Sequence, residues 1–112
     1  MSKLHIDEKN GRAWFACPGC DAPHSVIIEQ KKNNQSPWVW NKLLDLPTLT
    51  PSILTYYVGS EVTAKNDHRC HSFITAGSII FLSDCYHELK GKTVELPDFD
   101  EKYPNWQDGA GS

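Results

Sequence analysis

The sequence predicts a mainly β domain: a zinc-stabilised antiparallel sheet with one β-hairpin and one short helical turn, or a small α+β variant of the same plan. Three observations predict it. Short runs rich in aromatic and β-branched residues alternate with turn-forming stretches. The four cysteines fall into two pairs that the predicted strands bring to one place. The chain has 112 residues, 39% of them hydrophobic, and a domain this small often adds a staple to its core.

The elements follow in order. Arg12 to Cys17 (RAWFAC) and His24 to Glu29 (HSVIIE) read as strands on either side of a CPGC turn. Lys31 to Pro37 is a polar loop, and the aromatic alternation of Trp38-Val39-Trp40 favours a short strand. Thr48 to Val58 reads as extended, with Pro51 marking an edge or bend. Gly59 to Arg69 is a polar loop. Cys70 to Asp84 is the clearest hairpin, tipped by Ala76-Gly77, either as a primed turn or as a bulged turn with left-handed Gly77. Asp84 to Gly91 reads as a helical turn or two, capped by Ser83 or Asp84 and ended by Gly91. Lys92 to Pro97 is a last strand. The organisation expected is one domain over residues 1–98 and an acidic tail over 99–112, whose Tyr103 and Trp106 can dock on the domain.

The thiols carry the chemistry. A redox CxxC sits at a helix N-terminus, which stabilises its thiolate. Here Pro23 and the run Ser25-Val26-Ile27-Ile28 follow Cys20, and both oppose a helix. A CxxC turn between strands instead points both sulfurs to one side, as in a zinc knuckle. Knuckles commonly place a left-handed glycine after the second cysteine. Asp21 holds that slot, and Asp tolerates the conformation better than most residues. A structural zinc needs four ligands. Cys70 and Cys85 lie at the open end of the hairpin, in either register, and complete an all-thiolate set: Cys17, Cys20, Cys70 and Cys85. Three cysteines with His71 or His87 form the competing set.

His71 follows Cys70 on a strand, so its side chain takes the opposite face. His87, on a helical turn, would diverge from Cys85 by about 200°. His71, His87 and Asp84 are the candidate catalytic groups. They could meet near Ser72 or Ser52, with a carboxylate beside an imidazole that acts as base. The plain alternative is that each histidine packs half-buried on a backbone partner. His24 is a donor to a thiolate or a turn residue, and His5 and His68 fall in polar segments.

Net charge is −3, which argues against a duplex-binding face. Trp14, Trp38, Trp40, Tyr56 and Tyr57 could stack bases, but no basic run accompanies them beyond Lys31-Lys32. No P-loop, dinucleotide fingerprint, HExxH or GxSxG occurs. The N-terminal segment lacks the apolar run of a signal peptide, and no stretch approaches the about 20 apolar residues of a membrane span. A cytoplasmic protein is expected.

The order CPGC–H, W, PTLTPSIL and CHSFI–FLSDC–H–L–G–V–LPD, over roughly Ala13 to Asp98, resembles a small zinc-binding family borne by phages and prophages. Some of its members carry an ammonia monooxygenase label. That chemistry needs a membrane-embedded copper enzyme, and the sequence has neither the span nor the histidines. The resemblance implies matching positions at Cys17, Cys20, Pro51, Ser52, Cys70, His71, Ser72, Phe73, Asp84, Cys85, His87, Gly91 and Pro97. It also implies a viral origin and residence in the host bacterial cytoplasm. The closed set of thiolates and the absence of a complete catalytic motif favour a non-enzymatic accessory module that binds a host or phage macromolecule. A hydrolase using His71, His87 and Asp84 beside the zinc is the alternative, and single-stranded nucleic-acid binding is a third.

Overall fold

The computed structural model describes residues 2–30, 36–56 and 69–106. These form two antiparallel sheets and one short helix, as the fold class predicts. The first sheet has three strands: β1 (Leu4–Asp7), β2 (Arg12–Cys17) and β3 (Ala22–Ile27), in that order. The second is a five-stranded meander of β4 (Val39–Trp40), β5 (Leu49–Tyr56), β6 (Arg69–Thr75), β7 (Ser78–Phe81) and β8 (Thr93–Glu95). Helix α1 (Phe99–Lys102) closes the described chain. None of the described helices is long and apolar enough to cross a membrane.

The core lies between the sheets. Leu4, Phe15 and Val26 enter it from the first, and Leu49, Ile53, Ile74, Ile79 and Phe81 from the second. Period-two alternation decides what each strand contributes. On β6, Cys70, Ser72 and Ile74 are buried, while Arg69, His71 and Phe73 face outward and are half-buried.

The hairpin tip falls at Ala76-Gly77, both left-handed at φ +47° and +83°, with Thr75 opposite Ser78. A two-residue primed turn therefore wins over the bulged alternative. The Cβ of Ala76 opposes this conformation, but the turn is anchored from outside. Thr48 Oγ1 accepts from the Ala76 N–H at 2.9 Å, and the Pro47 carbonyl accepts from the Gly77 N–H at 2.9 Å.

Three elements differ from the sequence reading. β1 was not expected, yet its four residues pair with β2 and bury Leu4 and Asp7. Residues 84–91 fold as turns and bends rather than as a helix, because Asp84, the expected cap, directs its carboxylate to His71. The helix forms instead at Phe99, where Asp98 caps it by accepting from the Glu101 N–H at 3.0 Å. Phe99 is fully buried and stacks on His5, and Trp106 packs on Trp14 with ring centres 4.8 Å apart. His5 is thus half-buried rather than free in a polar segment. Tyr57 and His68 lie outside the described residues.

Candidate active site and metal centre

Strand β6 carries chemistry on both faces. Cys70 points into the space between the sheets, and His71 points away from it. β5 lies beside β6, and its register slips between Leu49 and Ile53. An irregularity of this kind re-aims side chains locally, and it places Ser52 next to His71. Ser52 Oγ is 3.0 Å from His71 Nε2. On the other side of the ring, His71 Nδ1 is 3.2 Å from Asp84 Oδ2. A carboxylate only accepts, so Nδ1 carries the proton and donates to Asp84. That leaves Nε2 to accept from the Ser52 hydroxyl. The three side chains form a Ser–His–Asp relay with the connectivity of a hydrolytic triad. His71 and Asp84 are partly open to solvent, at 26% and 41% side-chain exposure, and Ser52 is half-buried.

The backbone of His71 is held by Cys85. The Cys85 thiol donates to the His71 carbonyl at 3.0 Å, and its sulfur accepts from the His71 N–H at 3.2 Å. The Leu82 N–H also donates to that carbonyl, at 2.9 Å. Arg69 stands 3.9 Å from Asp84 Oδ2.

On the inner face a second cluster forms. One ligand atom each from Cys17, Cys20, Cys70 and His87 lies within 4.8 Å of every other, and all four residues are buried. These residues could hold a metal ion. The cluster holds three of the four expected thiols, Cys17, Cys20 and Cys70, together with His87, a member of the competing set. The reason lies in residues 84–91. Without a helix there, His87 turns inward, while Cys85 is occupied by the His71 backbone. His87 consequently does not join His71 and Asp84, and Ser72 is buried on the face opposite His71.

The donor set fits a tetrahedral ion. Zn–S bonds of about 2.3 Å in a tetrahedron set sulfurs about 3.8 Å apart and a sulfur and a nitrogen about 3.6 Å apart. Cys17 and Cys70 sulfurs are 3.8 Å apart, and Cys70 Sγ is 3.4 Å from His87 Nε2. The Leu89 N–H points at the other ring nitrogen from 3.3 Å. His87 would offer a metal its Nε2, the ring nitrogen beside Cys70.

The electrostatics point the same way. Hydrogen bonds from the Cys17 and Cys70 thiols pull the Cys20 thiol well below its ordinary range. The Cys17 thiol is pushed up to about 12, chiefly by its hydrogen bond to Cys20, and Cys70 is raised by both neighbours. Each ionised sulfur therefore opposes the ionisation of its neighbours. A divalent cation would relieve this and let all three ionise. Burial lowers the pKa of His87 and favours the neutral imidazole that a metal requires.

The knuckle is built for this arrangement. The Cys20 N–H donates to Cys17 Sγ at 3.4 Å, and Asp21 takes the left-handed conformation at φ +53°. Gly19 was not singled out by the sequence reading, yet the His87 ring lies over it, and a Cβ there would collide with that ring. His24 approaches Thr55 Oγ1 through Nε2 at 3.4 Å. Ser52 was expected only as a residue near which the candidate groups could meet. It sits on a strand and not in a GxSxG elbow, so no local motif marks it.

A family model described as bacterial ubiquitination-like system serine protease, BubE, matches residues 1–82. The chain belongs to this family. The match includes Ser52, His71, Cys17, Cys20 and Cys70 and ends just before Asp84. No curated protein and no solved structure matches the BubE-family chain.

Proposed function

We propose that this BubE-family protein is a serine hydrolase of a bacterial ubiquitination-like system, in place of the non-enzymatic role expected from the sequence. The observation that carries the proposal is the continuous relay from Ser52 through His71 to Asp84. Ser52 Oγ attacks the carbonyl carbon of the scissile bond while His71 Nε2 takes its proton. Asp84 holds the ring in the required tautomer and stabilises the imidazolium. The proton then passes to the leaving group, whose bond to carbon breaks, and an acyl-enzyme remains on Ser52. Water, deprotonated by His71, releases the acyl group. The family description supports a peptide or isopeptide bond of the system's modifier as the substrate.

The ion in the inner cluster is proposed to be zinc. With four protein ligands the site is closed, so zinc supplies a structural cross-link when bound. Cys17 and Cys20 tie the first sheet, through Cys70 and His87, to the strand and turn that carry His71 and Asp84.

The test is covalent labelling with a fluorophosphonate, read by intact mass and peptide mapping. One adduct on Ser52 is expected, absent from Ser52→Ala and strongly slowed in His71→Ala. A wild-type chain that is folded and zinc-loaded yet unlabelled at Ser52 refutes the hydrolase. Metal analysis of the same sample should give one zinc per chain.

A further inference from the structure

Beyond Ser52, β5 has an outer edge that no described strand covers. β4 pairs only with Leu49 and Thr50, and β6 occupies the other side of β5. The hydrogen bonds of His71 reveal which backbone groups point outward. Its N–H and carbonyl both turn away from β5, towards Leu82 and Cys85. His71 is the register partner of Leu54, so the two form a non-hydrogen-bonded pair. The N–H and carbonyl of Leu54 therefore face the free edge. The Leu54 side chain is 48% exposed and, as the register partner of His71, lies on the same face as the imidazole.

A groove of about 210 Å³ runs beside this edge, lined by Trp38, Ile53, Leu54 and Thr55 on one side and by Arg12 and Ser25 on the other. Trp38 closes one end by donating its indole N–H to the Pro51 carbonyl at 3.0 Å. The groove is smaller than an ordinary ligand pocket, which suits a single extended chain with small side chains. At about 3.3 Å per residue, Leu54 lies about 7 Å along the strand from Ser52, two residues of an extended substrate away from the scissile bond.

We propose that the substrate docks as an added strand on the outer edge of β5, hydrogen-bonded to the Leu54 backbone, with small residues in the groove beside Leu54. This rests on the hydrolase reading and deepens it. Recognition is by main-chain groups, as in other cases of strand addition, and extended unfolded segments are the form of polypeptide it accepts.

The test compares two reagents on the full chain: a diphenyl phosphonate of a single alanine and one of tetra-alanine. Ser52 labelling by the long reagent should be at least about tenfold faster, and N-methylation of one internal amide in it should remove most of the gain. Leu54→Pro removes an outward-facing N–H, and with it the leucine side chain, at an edge position where proline is tolerated. It should lose the same gain, with circular dichroism reporting that the variant is folded. Equal rates for long and short reagents on the wild type, or N-methylated reagents that all retain the gain, overturn the docking proposal while the hydrolase stands. If neither reagent modifies Ser52, the hydrolase itself has failed.

Discussion

Gly19→Ala isolates the contact between the knuckle and His87. Gly19 does not have a positive φ, so alanine brings no backbone strain. Its Cβ would nevertheless land on the His87 ring, whose atoms are the three nearest to that position. The ring has little room to retreat: Phe81 meets it edge-on with centres 4.5 Å apart, and Tyr86 does so at 5.2 Å. Overpacking a well-filled site costs about 1–3 kcal/mol. If that cost falls on the metal-bound state, zinc affinity drops by about 5- to 150-fold, at about 1.36 kcal/mol per decade. A competition titration with a chromophoric chelator, under reducing conditions, measures this directly. The stabilisation that saturating zinc gives in thermal melts should shrink in parallel. An alanine variant that binds zinc within twofold of the wild type would show that His87 does not sit against Gly19 in the metal-bound chain.

Other outcomes follow from the same geometry. Asp84→Asn should keep fold and metal but lower turnover by about 10³- to 10⁴-fold, because it supports the wrong histidine tautomer; an acyl-substrate assay reads this. Cys85→Ala should retain one zinc per chain, whereas His87→Ala should not, and metal analysis distinguishes this ligand set from the four-thiolate one. Cys85→Ala leaves the His71 N–H without its buried partner, so a loss of about 1–3 kcal/mol in denaturant unfolding is expected. Removing zinc with a chelator under reducing conditions should slow Ser52 labelling, and zinc should restore it; an apo chain labelled at full rate would disconnect the metal from the triad. Asp7 is buried, and hydrogen bonds from the Asn10 side chain and backbone hold its pKa below the ordinary 3.8. Its contribution to stability is complete above that value and drains away as pH falls through the lower folded value. The difference in melting temperature between pH 6 and pH 3 should therefore narrow in Asp7→Asn.

The strands of the hairpin and the two faces of β6 were legible because period-two alternation is local: Cys70 and His71 must part wherever that strand lies. The CPGC turn was legible for the same reason, down to left-handed Asp21. What the sequence hid depended on contacts between distant segments. Helical capping at Asp84 is a sound local expectation, but His71 competes for the same carboxylate from 13 positions away, and the tertiary contact wins. In the same stretch His87 turns inward and Cys85 meets the His71 backbone. His71, Asp84 and Ser52 were each legible as candidates, but their mutual geometry was not, because Ser52 lies on a neighbouring strand at a register slip, and slips are not encoded in composition.

The fold therefore links two sites that share a strand but no atoms. Cys70 and His71 are consecutive, so an ion that fixes the first also limits the second, since adjacent residues of a strand cannot shift independently. Asp84 is tied less directly, through the short turn that leads to His87, and Cys85 in that turn grips the His71 backbone. With an ion held in the inner cluster, both ends of the His71–Asp84 hydrogen bond would be anchored to it from the opposite face of the sheet. Ser52 has no such tether. It belongs to β5, whose outer edge beyond Thr50 is covered by no described strand, and a chain docking along that edge would order the nucleophile last. The metal would then set the base and its carboxylate before any substrate arrives, and the substrate itself would complete the alignment.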